Sequence, residues 1–177
     1  MKRTPLYAAK FFVAFASVYF ATFLILPAQE IAPDELRSVV EFHNNVRKEV
    51  GSPPLEWSND LAAYAQEWAN YLAQNGCALQ HRPNTGRWKQ QYGENIFWGA
   101  GKTYTLQDAA KSWYSEKKFW RGGKLTGRNW SKSGHYTQMV WSKTTKVGIA
   151  KATCKNGATI IVANYDPAGN MMGEKPY

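Results

Sequence analysis

Two histidines and two glutamates are the side chains of this sequence whose types best suit a shared metal site. His81, Glu94, Glu116 and His135 lie in or beside apolar or loop segments. Neutral imidazoles together with carboxylates are suitable ligands for a borderline divalent metal such as zinc. The gaps between them are 13, 22 and 19 residues, which match no linear metal-binding motif. Any shared site must therefore be formed by the fold.

The segment around His135 mixes polar and apolar side chains in a way that neither a core nor a solvated surface explains. Residues 134–144 include two aromatic rings, a histidine, a glutamine and several hydroxyls. Buried polar groups need hydrogen-bond partners, whereas clustered aromatic residues favour burial. The composition predicts a half-buried wall anchored by Met139, Val140 and Trp141, from which His135 points into a cavity.

The third histidine has two interpretations. His43 and Arg47 are four residues apart and so share one face of a predicted helix. His43 could be a site residue, or a structural residue that hydrogen-bonds between this helix and its neighbour. We favour the structural interpretation.

Periodicity and capping residues predict three helices and a hairpin. Pro33 suits the first turn of a helix that ends at residues 51–54. The second and third helices have Ser58 or Asn59 and Thr105 as candidate caps. Asn-Gly between β-prone runs is a strong hairpin signal. The predicted elements are helices 33–50, 59–75 and 106–119, a short helix or turn at 134–144, strands 147–153 and 158–165, a long functional loop 77–92, and a flexible basic loop 121–133.

The amino terminus has the pattern of an export signal. Lys2 and Arg3 precede an apolar run from Phe11 to Leu26, and Ala28 ends a possible cleavage site. We expect residues 1–28 to be a signal peptide, or a signal anchor through residues 6–26 if they are not cleaved. A linker, 29–33, and one domain, 34–177, would follow. The protein would be secreted, extracellular or periplasmic.

The charge balance indicates which partners suit the chain. The net charge is +9, and it is +6 without the three basic residues of the leader. A basic domain favours anionic envelopes or membrane surfaces, although ordinary solubility explains the charge equally simply. No basic run exceeds two residues and no recognition motif is present, so we expect no nucleic-acid partner.

Four short motifs carry a resemblance to a known family. They are His-Asn-x-x-Arg at 43–47, Gly-Glu-Asn at 93–95, Trp-Tyr-Ser-Glu at 113–116 and Gly-His-Tyr-Thr-Gln at 134–138. Over residues 34–177 the chain resembles the CAP superfamily of cysteine-rich secretory, antigen 5 and pathogenesis-related 1 proteins, above all its plant pathogenesis-related 1 branch. The resemblance implies an α+β fold, a three-layer α-β-α sandwich with a central antiparallel sheet and a large cleft.

The resemblance also assigns roles to the four candidate residues. It implies that His81 and His135 bind the metal, while Glu94 and Glu116 orient a bound water or hydrogen-bond the imidazoles. The family's cysteines are largely missing, since Ser133, Ile149 and Ala163 occupy cysteine positions. Cys77 and Cys154 then correspond to different family pairs, so a bond between them is in doubt. Composition alone leaves one disulfide or two thiols open.

Three functions follow as hypotheses. We favour a non-enzymatic binding module for a sterol, fatty acid or similar amphiphile, in the manner of defence or host-interaction proteins. The second is a zinc-dependent hydrolase with Glu94 as the general base and Glu116 as a further catalytic candidate, although no activated Ser or Cys is identifiable. The third is a precursor that releases the peptide from Pro167 to Tyr177.

Overall fold

The computed structural model describes residues 31–177, so the predicted leader 1–28 and the first two residues of the linker, 29 and 30, lie outside the described residues. No helix within residues 31–177 is both long enough and apolar enough to cross a membrane. The elements in chain order are α1 Pro33–Lys48, β1 Glu56–Trp57, α2 Asn59–Gln74, β2 Gly93–Gly99, α3 Leu106–Tyr114, a 3-10 turn Ser115–Phe119, α4 Gly127–Met139, β3 Lys146–Thr153 and β4 Thr159–Asp166.

One four-stranded sheet forms the middle of the domain. Its order is β1-β3-β4-β2, and the three long strands pair antiparallel. The short β1 pairs parallel with β3 through Glu56 and Trp57. The predicted hairpin around Asn156-Gly157 is confirmed as the β3–β4 connection, where Gly157 has φ +81°, in the left-handed region that favours glycine.

Alternating side chains of the sheet build a separate core on each face. Ile160 and Val162 pack with α2 residues such as Trp68, whereas Ile161 and Ala163 pack with the α1 and α3 side. Strand residues alternate between faces, so an apolar β4 can serve both helical layers. The predicted three-layer α-β-α sandwich is confirmed.

Helix α3 is shorter than the sequence predicts. Thr105 begins it with a capping box, since its hydroxyl accepts from the Asp108 amide while the Asp108 carboxylate accepts from the Thr105 amide. The α-helix ends at Tyr114, and a 3-10 turn from Ser115 to Phe119 replaces the last predicted turn. This tighter turn carries Glu116.

The prediction of a flexible loop over residues 121–133 is wrong for its second half, because α4 begins at Gly127. A capping box starts the helix. The Thr126 hydroxyl accepts from the backbone N–H of Asn129 at 3.4 Å, and Asn129 Oδ1 accepts from the backbone N–H of Thr126 at 2.8 Å. Polar and glycine residues that suit a loop therefore form the first two turns of a helix.

The expectation that the two cysteines correspond to different family pairs and need not be bonded is corrected by the structure. Cys77 and Cys154 form a disulfide, with their Cα atoms 5.8 Å apart. Both lie in the core under α2. The fold brings the residue that opens the 77–92 loop against the residue that follows β3. No free cysteine occurs among the described residues.

Candidate functional site

The first half of the candidate site is a pair between α4 and the 3-10 turn. His135 Nδ1 lies 2.7 Å from Glu116 Oε1, and the backbone N–H of His135 donates to Glu116 Oε2 at 2.9 Å. The Tyr136 amide also faces Oε2, at 3.4 Å. Because a carboxylate only accepts, Nδ1 carries the proton and Nε2 keeps the lone pair.

The second half joins the 77–92 loop to strand β2. His81 Nδ1 lies 2.8 Å from Glu94 Oε1, which also accepts from the Arg82 amide at 3.1 Å. The His81 side chain is half exposed, whereas the Glu94 side chain is fully buried. Glu94 Oε2 has no hydrogen-bond partner among the described residues and faces Arg82 Nε at 4.0 Å. A buried carboxylate therefore orients a partly exposed imidazole.

One cavity of about 570 Å³ brings the two pairs together. His81, Glu94, Glu116 and His135 all line it, although they come from four separate segments. Among the apolar residues of its wall are Trp130 and Met172. His135 lines the cavity, and Met139, Val140 and Trp141, which follow it in the chain, are buried. The cavity thus combines polar pairs with apolar surface.

His43 does not line this cavity, in agreement with the structural interpretation. Its Nδ1 donates to the Val39 carbonyl at 2.8 Å, and its Nε2 accepts from the Tyr165 hydroxyl at 3.0 Å. Complete burial lowers the pKa of His43 to about 4, and nearby Arg47 acts in the same direction. Burial also disfavours the charged form of Tyr165, which raises the pKa of its hydroxyl, so both groups stay neutral.

This buried network reaches the back of the site through Asn95. The Asn95 amide nitrogen donates to the Tyr165 hydroxyl at 3.4 Å and to the His135 carbonyl at 3.1 Å. Asn95 also lines the cavity. The core histidine is therefore connected by hydrogen bonds to the backbone of the site histidine, and Asn95 helps to fix the position of α4 against β2.

Sequence reasoning missed several cavity residues on α4. Trp130, Ser131, Gly134 and Gln138 line the cavity together with His135, and their spacing places them on one helix face. This periodicity was the signal that could have found them, but it is hidden when residues 121–133 are assigned to a loop. Gln138 Oε1 accepts from the Gly169 amide at 3.0 Å and so ties the carboxyl-terminal segment to the cavity wall.

The donor set fits a metal site with two protein ligands. Each imidazole presents Nδ1 to a carboxylate, which leaves Nε2 as the atom that could coordinate an ion. The two carboxylates are engaged by these hydrogen bonds. Residues 31–177 contain no group of three or more His, Cys, Asp and Glu side chains arranged to hold a metal. The remaining coordination positions would fall to water or to a bound ligand.

No activated nucleophile accompanies the two histidines in the described part of the cavity wall. Ser131 lines the cavity, but its hydroxyl donates to the Arg128 carbonyl at 3.0 Å and not to an imidazole. An activated serine requires a base within hydrogen-bond reach. This arrangement can bind and orient a ligand without a covalent step.

The family of the chain follows from comparison with known proteins. The sequence matches the model of the CAP family, described as the cysteine-rich secretory protein family, over residues 40–165. The chain belongs to the CAP family. The matched span contains the two His–Glu pairs and the sheet that positions them.

Plant relatives of this CAP protein cover most of its length. It is 39% identical to pathogenesis-related protein 1C of Nicotiana tabacum over 155 residues, which are 88% of each chain. It is also 39% identical to pathogenesis-related protein 1 of Arabidopsis thaliana over 169 residues, which are 96% of each chain. A crystal structure of NaASP2 with Zn²⁺ is similar at 27% identity with a TM-score of 0.73, covering 85% of this chain and 88% of that one.

Proposed function

We propose that this CAP protein is a secreted, non-enzymatic binding protein whose cleft holds an amphiphile such as a sterol or fatty acid. The observation that carries the proposal is the wall of the cavity of about 570 Å³. Small-molecule sites are commonly ~300–1,000 Å³ and combine apolar walls with a few placed polar groups. The two His–Glu pairs would receive a hydroxyl or carboxylate head, and Trp130 and Met172 would contact the apolar part.

We further propose that the cleft holds a divalent metal ion, zinc being the best match to two imidazoles. Nε2 of His81 and of His135 would coordinate the ion, and Glu94 and Glu116 would keep both rings in the required tautomer. When bound, the ion would supply positive charge for an anionic or hydroxyl head group. The description of the similar NaASP2 structure names Zn²⁺ for that protein, which supports the assignment.

Export and a defence-like role belong to the same proposal. The pathogenesis-related names of the plant relatives support a role in defence or host interaction. The Cys77–Cys154 disulfide is compatible with an oxidising, extracellular compartment. The basic domain would also favour anionic envelopes or membrane surfaces as partners. Intact-mass analysis of the secreted protein would show whether cleavage follows Ala28 or the leader stays as an anchor.

The two alternative functions remain predictions. A hydrolase would need Glu94 to accept a proton from water, yet its Oε1 already accepts from His81 and Arg82, and its Oε2 is buried beside the Arg82 guanidinium. Release of the peptide from Pro167 to Tyr177 would require the tail to leave the domain. That tail is paired by backbone hydrogen bonds, in which Leu125 N donates to Glu174 O and Ser142 N donates to Pro176 O, each at 2.7 Å.

A displacement titration tests the amphiphile proposal, with matched variants inside and outside the cleft. Trp130 lines the cavity and Trp98 does not, although their exposed fractions are similar, 45% and 42%. Met172 and Met171 form a second such pair. We expect Trp130→Ala and Met172→Ala each to weaken binding of a fluorescent sterol or fatty acid about tenfold, since buried apolar contacts carry ligand affinity.

The control variants Trp98→Ala and Met171→Ala should bind the same probes with wild-type affinity. Absence of binding by wild-type protein to both probes would contradict the proposal. Equal losses in the cleft variants and the controls would also contradict it, because the cavity would then not be the site.

A further inference from the structure

A second cavity lies along α2 and borders the His81–Glu94 pair through Arg82, whose backbone N–H donates to Glu94. It has a volume of about 600 Å³ and is bounded by α2 and by the loop that follows it. The α2 residues recur at helical spacing and so form one continuous face. Arg82 is the one described residue that lines both cavities. The groove is lined by Tyr64, Glu67, Asn70, Tyr71, Gln74, Arg82, Arg87, Trp88, Lys89 and Gln91.

Aromatic rings give this groove a fixed apolar floor. Trp68 and Tyr71 are stacked with their ring centroids 4.9 Å apart, and Trp88 packs on both, with centroids 5.7 and 5.3 Å away. Trp68 is buried, whereas Tyr71 and Trp88 are partly exposed to the groove. Because these rings hold one another in place, they offer a flat surface that loses little side-chain freedom when a ligand binds.

The charged groups of the groove are mainly positive. Arg82, Arg87 and Lys89 line it together with one carboxylate, Glu67, which gives a net charge of +2 among the lining residues. The Arg82 guanidinium lies 3.7 Å from the Tyr64 ring centroid and is almost fully buried. Its Nε has no hydrogen-bond partner in the described part of the chain, while a second nitrogen lies 3.8 Å from Glu67.

Amide side chains complete the groove. Asn70 and Gln74 lie four residues apart on α2, and Gln91 faces them from the loop. Amides both donate and accept hydrogen bonds, so they suit ligands with many hydroxyl groups. The loop side is fixed in place, because the Tyr64 hydroxyl donates to the Lys89 carbonyl at 3.1 Å and accepts from the Gln91 amide at 3.2 Å.

We infer that this groove binds an acidic oligosaccharide. Sugar rings would lie against Tyr71 and Trp88, their hydroxyls would bond to the amide side chains, and their carboxylates would pair with Arg87 and Lys89. A wholly apolar ligand would leave these cations and amides without partners. A small inorganic anion would leave the aromatic floor uncovered. The proposed sugar contacts use no residue of the amphiphile cleft, although Arg82 lines both cavities.

The test uses titration calorimetry of the mature protein with a short oligogalacturonate at low salt. The comparison ligands are a neutral galactose oligomer of the same length and an oligoglutamate peptide of similar charge. We expect the acidic oligosaccharide to bind about tenfold or more tightly than either comparison ligand, since stacking and ion pairing act together. Raising the salt concentration should weaken this binding, because exposed ion pairs are screened.

Variants locate the binding in the groove. Trp88→Ala and the double variant Arg87→Gln/Lys89→Gln should each weaken oligogalacturonate binding about tenfold, because each removes one of the two kinds of contact. Two control sets lie outside the groove: Trp98→Ala, and the double variant Arg128→Gln/Lys132→Gln on α4. Both should retain wild-type affinity. Far-ultraviolet circular dichroism and the unfolding midpoint establish that every variant is folded.

Four results would overturn the inference: no binding of oligogalacturonate, equal binding of the oligoglutamate, wild-type affinity in both groove variants, or loss of binding in the cleft variant Trp130→Ala. The cleft variant Trp130→Ala separates this site from the proposed function. It should bind oligogalacturonate normally even if the cleft binds no amphiphile at all, and loss of binding in this variant would place the acidic sugar in the cleft instead.

Discussion

The carboxylate of Glu116 holds His135 at two points, its ring Nδ1 at 2.7 Å and its own backbone nitrogen at 2.9 Å. One side chain from the 3-10 turn therefore fixes both the tautomer and the position of a histidine on α4. Fixing the proton on Nδ1 leaves Nε2 of the neutral ring as the atom with a free lone pair. The role of Glu116 can therefore be tested separately from that of His135, the proposed metal ligand.

Replacing Glu116 by Gln should weaken zinc binding without removing either proposed ligand. The amide keeps the shape of the side chain but loses the negative charge that supports the Nδ1 proton, and loss of such an outer partner typically costs ~10–100-fold in metal affinity. The measurement is a zinc titration by calorimetry. Glu174→Gln is the control, because Glu174 pairs with Lys143 at the surface. Equal zinc affinity in Glu116→Gln and wild type would remove Glu116 from this role.

Arg47 should be among the most sensitive positions of the fold. Its guanidinium donates to the carbonyls of Pro53, Met139, Trp141 and Thr144, three of which lie at or after the end of α4. Burial lowers its pKa to about 10, so it remains charged at neutral pH. Arg47→Met should reduce the free energy of unfolding by about 3 kcal/mol or more, because buried carbonyls lose their donors.

Urea denaturation measures this loss for Arg47. The control is Arg37→Met, since Arg37 is exposed and pairs with Asp34 on the surface of α1. That control should change the free energy of unfolding by less than about 0.5 kcal/mol. If Arg47→Met lost less than about 1 kcal/mol of unfolding free energy, the hydrogen bonds from Arg47 to the backbone carbonyls would not have the stabilising role given to them here.

His43 should make the fold sensitive to mild acid. Its pKa is about 4 in the folded protein against 6.5 as the reference value, so between these pH values the unfolded chain binds more protons. The free energy of unfolding should therefore rise with pH from about 4 to 6.5 and level off above, by up to ~3 kcal/mol from this residue.

The pH dependence is measured as unfolding free energy at several pH values for wild type and His43→Gln. The variant is expected to be less stable overall, so the slope and not the level is the readout. The other titratable groups contribute the same slope to wild type and to His43→Gln. Identical slopes between pH 4 and 6.5 would show that His43 does not titrate on unfolding.

The disulfide should contribute strongly to stability because it closes a long loop. Cys77 and Cys154 are 77 residues apart in sequence. Disulfides typically stabilise by about 2–4 kcal/mol, and those that close long loops lie at or above the upper end of this range, chiefly by restricting the unfolded chain. Cys77→Ala, Cys154→Ala and the double variant should show the same loss within error in chemical denaturation, because either single change breaks the bond. Clearly additive losses would show that the two thiols are not paired.

The parts of the fold that were predicted correctly depend on local signals. The caps at Ser58 and Thr105, the apolar stripe of α2 and the Asn156-Gly157 turn act within a few residues, so the sequence reveals them directly. The side-chain mixture of 134–144 likewise predicts a half-buried wall. The family resemblance added the sandwich and the four cleft residues, which no spacing argument could bring together.

The parts that were missed depend on contacts between distant residues. The carboxyl-terminal end of α4 is held by Arg47, 92 residues earlier than Met139, and this contact is invisible in the local composition of a Gly- and Ser-rich segment. The Cys77–Cys154 pairing depends on how α2 packs on the β3–β4 hairpin. In the sequence Asn95 is only the last residue of the Gly-Glu-Asn motif, because its bonds to Tyr165 and His135 exist only in the folded sheet.

A zinc titration of wild type beside His81→Ala and His135→Ala tests most directly whether the two distant imidazoles form one site. Lys132→Ala, on α4 but outside the cavity wall, is the control. We expect one zinc ion to bind per wild-type and control molecule, and either histidine variant alone to lose this binding. Wild-type zinc affinity in either single histidine variant would contradict this expectation.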